Sequence, residues 1–101
     1  MSEKQSQSEK PKEWAPSVPN GMVPVKSITF RTGLMVDIAG GKSTASGLRA
    51  SEPSDQQFWR IYFDPRLRHH RVEHYMPGKG ERPPTTIRYI PEGWCTWEAA
   101  S

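Results

Sequence analysis

The stretch RLRHHRVEHY, residues 66–75, gathers His69, His70 and His74, the only histidines of the chain, beside Arg66, Arg68 and Arg71. Imidazoles this dense raise a metal site first. His70 and His74 stand four residues apart, a spacing that shares one face on a helix and on a strand alike. On a strand they lie about 13 Å apart along the chain, too far to hold one ion together, and the local residues favour strand. Structural zinc asks for four ligands, and Cys95 is the only thiol. No metal site and no cofactor are expected.

Nucleophilic chemistry fares no better. A Cys–His pair needs the imidazole within hydrogen-bond reach of the sulfur, and Cys95, between Trp94 and Thr96, reads as a small buried core residue. Asp64 and Glu73 carry nothing that raises them above ordinary surface acids. GGKST after LMVDIA is close to a phosphate-binding loop, but that loop needs glycine five residues before its Gly-Lys pair, and Val36 stands there. The segment reads as a flexible surface loop whose Lys42 meets an anion weakly. The chain is not expected to be an enzyme.

Binding suits these residues better. Between Arg60 and His74, Arg60, Arg66, Arg68 and Arg71 stand against Asp64 and Glu73, with Tyr62 among them and Tyr75 directly after. Arginine forks grip phosphates and exposed tyrosines stack on bases, so a nucleic-acid partner is one expectation. Arginine, tyrosine, tryptophan and histidine also dominate protein interfaces, where lysine is depleted. From Ser27 onward the chain holds eight Arg to two Lys. The leading expectation is therefore a non-enzymatic protein-interaction module: an adaptor, an assembly subunit or a small inhibitor of another macromolecule. Its contact surface would be a basic hairpin carrying Arg60, Tyr62, Arg66, Arg68, His69, Arg71, Glu73 and Tyr75. If Val72 faces the core, His70 and His74 flank it, and Arg71, Glu73 and Tyr75 form the exposed row. Unpaired strand edges offer a further route, to a partner or to a second copy of the chain.

The elements that must position this hairpin follow from period-two patterning. QFWRIYFD sends Trp59, Ile61 and Phe63 one way and Phe58, Arg60 and Tyr62 the other, in the aromatic and β-branched composition of a central strand. Asp64-Pro65 opens a turn, and the chain returns through HHRVEHYM. Upstream, Ile28 and Phe30 alternate in VKSITFRT. Leu34, Val36 and Ile38 alternate in GLMVDIAG, and Thr32-Gly33 between the two suggests that they form a hairpin. LRASEPSDQ reads mostly as loop. Downstream, TTIRYI gives a strand with Ile87 and Tyr89 on one face, PEGW bends the chain, and CTWEA closes it. The expected core is Ile28, Phe30, Val36, Ile38, Trp59, Ile61, Phe63, Val72, Ile87, Tyr89 and Trp97; Trp14 and Trp94 have no obvious core slot.

Short strands at regular spacing without a long helix predict an all-β domain, a small antiparallel barrel or a twisted meander, over residues 25–101. The ending RYIPEGWCTWE resembles the close of SH3-type barrels, in which a strand, a helical turn and a short strand follow one another. That resemblance implies an SH3-like barrel as the nearest analogy for the fold, and nothing about function. Residues 1–24, rich in Ser, Lys and Pro, predict a disordered tail. The PSVP within it has the spacing of a polyproline II segment and reads first as linker. Hydrophobic residues make up only 34% of the chain, which agrees with a part that does not fold. One cysteine permits no internal disulfide, so a reducing cytoplasm is the expected setting. No apolar run is long enough for a membrane span. The net charge of +3 is spread over both parts of the chain and argues little for nucleic acid by itself.

Overall fold

The structure, a computed structural model, describes residues 18–38, 44–78 and 82–100. Residues 1–17 of the expected tail, and Lys42 with most of the GGKST loop, lie outside the described residues. The strands are β1 (Val23–Phe30), β2 (Val36–Asp37), β3 (Thr44–Ala45), β4 (Gly47–Arg49), β5 (Phe58–Asp64), β6 (His69–Tyr75), β7 (Thr86–Pro91) and β8 (Cys95–Ala99). A 3-10 turn, Glu92–Trp94, stands between the last two. There is no α-helix among the described residues. The all-β class is as expected from the patterning.

Six strands make one antiparallel sheet, ordered β7–β6–β5–β1–β8, with β4 beside β5 on the same edge of β1. β5, β6 and β7 run as a meander, and β2 pairs with β3 in a separate two-stranded ribbon. The sheet is not closed into a barrel: among the described residues β7 pairs only with β6, and β8 only with β1.

β1 is the strand that organises the rest. Val23–Val25 pair with Phe63–Ile61 of β5, and Ser27–Thr29 pair with Arg49–Gly47 of β4. The change of partner falls at an irregularity between Val25 and Ser27. There the Lys26 carbonyl accepts from Ala50 N–H at 2.9 Å, and the chain crosses to β5, where Ser51 N–H donates to the Trp59 carbonyl at 3.1 Å. Glycine is required at position 47, since a Cβ there would stand 2.9 Å from the Ile28 carbonyl oxygen. The hairpin expected between β1 and the Leu34–Ile38 segment does not form. Thr32 and Gly33 do turn the chain, but β4 and β8 occupy both edges of β1, and Val36 and Asp37 pair with β3 instead.

The core collects one face of the sheet: Val25, Ile28, Phe30, Ile38, Leu48, Ile61, Phe63, Val72, Ile90 and Cys95 are buried, with Val36, Trp59 and Trp97 packed against them. Two expected core residues are misplaced. Ile87 and Tyr89 are exposed, because the register sets His70 opposite Ile90 and turns Thr86, Arg88 and Ile90 toward the core face. The alternating neighbours Ile87 and Tyr89 then point outward.

Candidate functional site

The β5–β6 hairpin sits at the centre of the sheet, and its two rows behave differently from the expectation. On the core face Val72 is buried between His70 and His74, both also buried. His70 packs on Phe63 and Trp97, and its Nδ1 lies 3.6 Å from the Cys95 sulfur. His74 packs on Trp59, and its Nε2 meets the side-chain carbonyl oxygen of Gln57. Burial holds both imidazoles below their ordinary pKa and pushes the Cys95 thiol above its own. Each group is therefore held neutral, the opposite of the thiolate–imidazolium state that a nucleophilic pair uses. Among the described residues no three His, Cys, Asp or Glu side chains cluster to hold a metal ion.

The other row was expected to be open, and most of it is not. Tyr62, Glu73 and Tyr75 are buried. Phe58 and Tyr75 stack at 4.9 Å and 3° between ring planes, and Arg82 lies over the Phe58 ring. The loops on either side close over this base of the hairpin: Gly78 N–H donates to the Ser54 carbonyl at 2.9 Å, and Arg82 donates to the carbonyls of Met76 and Gly78. Beneath them the Tyr75 hydroxyl donates to Glu73 Oε1 at 2.8 Å. Arg71 Nε stands 2.8 Å from Glu73 Oε2, an ion pair too oblique to be a hydrogen bond. Burial, then the Glu73 charge, raises the Tyr62 pKa; burial, then the hydrogen bond to Glu73, raises that of Tyr75 further. One sequence signal was available: β5 carries aromatic residues at both parities, as a strand covered on both faces does.

The remaining site residues divide by where they stand. Arg60 and His69 are half-buried, Arg60 with Glu52 at 3.4 Å and His69 with its ring 4.9 Å from that of Tyr89. Arg60 and Tyr62 also line a shallow groove of about 330 Å³ with Pro24, Lys26, Glu52 and Ala100. At the tip, Arg66 and Arg68 have 70% and 73% of their side chains exposed, and Leu67 between them is 64% exposed. Local bonding holds this tip. The buried Asp64 carboxylate accepts from the N–H groups of Arg66 at 3.0 Å and Leu67 at 3.4 Å, and Arg68 N–H donates to the Asp64 carbonyl at 2.8 Å. Burial raises the Asp64 pKa, but those two N–H donors and the Arg66 guanidinium outweigh it and bring the carboxyl below its ordinary value. Arg68 takes a positive φ of 58° and reaches Glu92 at 2.7 Å.

All four arginines of the expected basic surface thus stand within 4.0 Å of a carboxylate: Arg60 by Glu52, Arg66 by Asp64, Arg68 by Glu92 and Arg71 by Glu73. No family of known proteins matches this chain, and no curated protein or solved structure is detectably similar to it.

Proposed function

We propose that this chain is a non-enzymatic protein-interaction module that makes contact through the hairpin tip, Arg66, Leu67 and Arg68, with His69 and Tyr89 at its foot. The observation that carries this is an exposed leucine between two exposed arginines on a backbone fixed from below. A rigid apolar anchor with polar neighbours costs little ordering on binding and suits a protein surface. Nucleic acid is the weaker alternative. Its base-stacking tyrosines, Tyr62 and Tyr75, are buried, and the arginines already have carboxylate neighbours. The neutral, buried Cys95–His70 contact favours binding over catalysis. A free, buried thiol is compatible with a reducing cytoplasm. The sequence of strand, 3-10 turn and returning strand supports an SH3-type relation as a proposal for architecture only.

Affinity capture from the native host with wild-type chain and with Leu67→Ala tests this function. A protein retained at moderate salt by the wild type and lost with Leu67→Ala is the expected result. Recovery of nuclease-sensitive material, bound equally by both chains and released steeply by salt, would establish the alternative instead.

A further inference from the structure

We propose that the open edge of β7 is a second binding site, which accepts an extended segment of a partner protein as an added antiparallel strand. That segment carries an acidic residue between two apolar ones. The site uses none of Arg66, Leu67 and Arg68 and shares only Tyr89 with the surface proposed above, so it can be tested apart from that function.

The geometry begins with the ladder. In an antiparallel pair, successive residues turn their backbone groups alternately toward one neighbour and the other. Glu92 N–H donates to the Arg68 carbonyl, and the same register pairs Ile90 with His70 and Arg88 with Val72. Residues 88, 90 and 92 therefore face β6. On the far side of the hairpin, Ser51 N–H reaches the Trp59 carbonyl on β5, as the same alternation requires when carried across the β5–β6 register. Ile87, Tyr89 and Pro91 must then turn their backbone groups outward, where no described strand pairs with them. That edge offers the N–H of Ile87 and Tyr89 and the carbonyls of Ile87, Tyr89 and Pro91.

The side chains at the same positions set the chemistry. Ile87 and Tyr89 are 37% and 54% exposed on one face, so residues set opposite them gain from being apolar. Arg88 lies on the other face, half-buried, and makes no ion pair with any described residue. Each of the four arginines of the β5–β6 hairpin has a carboxylate neighbour, and the residue set opposite Arg88 would supply the missing one. Pro91 at one end and Pro83-Pro84 ahead of the strand limit the addition to a short register centred on Arg88. A second copy of β7 fits less well. A two-fold pair centred on Arg88 opposes two guanidinium groups, and one centred on Tyr89 sets Ile87 against Pro91, which has no N–H to return.

The test titrates the full chain, ¹⁵N-labelled, with the capped peptide Thr-Thr-Val-Glu-Val-Thr-Thr. The amides of Ile87 and Tyr89 are expected to shift and to gain protection from hydrogen exchange. Exchanging the peptide's Glu for Lys should weaken binding about fivefold, the scale of one cross-strand ion pair, and Arg88→Glu should reverse that preference. N-methylation of both valines, whose N–H groups would face β7, should abolish binding, while N-methylation of the Glu should leave it intact. These peptide arms need no variant of the protein. Arg66→Ala with Leu67→Ala should leave the titration unchanged. No shift at Ile87 and Tyr89 at millimolar peptide, shifts confined to the tip, equal tolerance of both methylated peptides, or a β7-to-β7 dimer in sedimentation would each overturn the proposal.

Discussion

The body and the tip of the β5–β6 hairpin use similar residues in opposite ways. In the body, Glu73 holds Tyr75 by a hydrogen bond and Arg71 by an ion pair, and the opposite row buries two neutral histidines. At the tip, Arg66 and Arg68 stand in solvent on either side of Leu67. Residue type does not separate the two regions. The separation comes from whether another part of the chain folds over the strand, so that a charged residue in the body is part of the fold while one at the tip is part of the surface.

If that contrast holds, damage to the body should unfold the protein and damage to the tip should not. Phe58→Ala removes the ring that stacks on Tyr75 and is expected to cost about 3 kcal/mol in denaturant unfolding. A loss under about 1 kcal/mol would show that the outer face contributes little to stability. Glu73→Ala leaves the Arg71 guanidinium and the Tyr75 hydroxyl without their carboxylate and is expected to cost about 2 kcal/mol. The double substitution with Arg71→Ala should cost less than the two single ones added together.

Acid should produce a smaller, graded loss that also originates in the body. The folded-state pKa values of His70 and His74 lie below the ordinary 6.5, so the unfolded chain binds more protons. Stability from this source is therefore complete above about pH 6.5 and falls as the pH drops below it. A thermal midpoint that stays flat from pH 7 to pH 5 would contradict the burial of these rings. The smallest effect belongs to the tip: Arg66→Ala and Leu67→Ala are expected to change unfolding free energy by no more than about 0.5 kcal/mol. Asp64→Ala sharpens the boundary between the regions, because it removes the carboxylate that fixes the tip. It should lower the melting temperature and broaden the amide resonances of Arg66 and Leu67.

Much of the fold was legible because period-two patterning and turn residues act locally. Trp59, Ile61 and Phe63 mark β5, Asp64-Pro65 marks its turn, and CTWEA marks β8. Placing His70 and His74 beside Val72 on the core face followed from strand parity alone. What parity cannot say is which face is covered. Tyr62, Glu73 and Tyr75 were assigned to solvent because an antiparallel hairpin usually has one wet face, whereas the covering segments around Ser54 and Gly78 are flanking loops with no periodic signal. Tyr89 went to the core for the opposite reason: an aromatic at an apolar parity looks buried until the Ile90–His70 pairing fixes the register. The β1–β2 hairpin failed because the Thr32-Gly33 turn signal is local, while competition for the edges of β1 is not.

The dual role of β1 also sets an order of assembly. The β5–β6 hairpin joins residues close in sequence, a contact of the kind that forms in microseconds. Pairing Phe30 with Cys95 and Val25 with Ala99 instead closes a loop over most of the described chain, at an entropic cost met before any ladder bond is gained. During synthesis β1 emerges before β8 and must wait with one edge open until β8 has left the ribosome. The Cys95 side of the core, His70 and Trp97 included, therefore becomes dry only when the final strand docks.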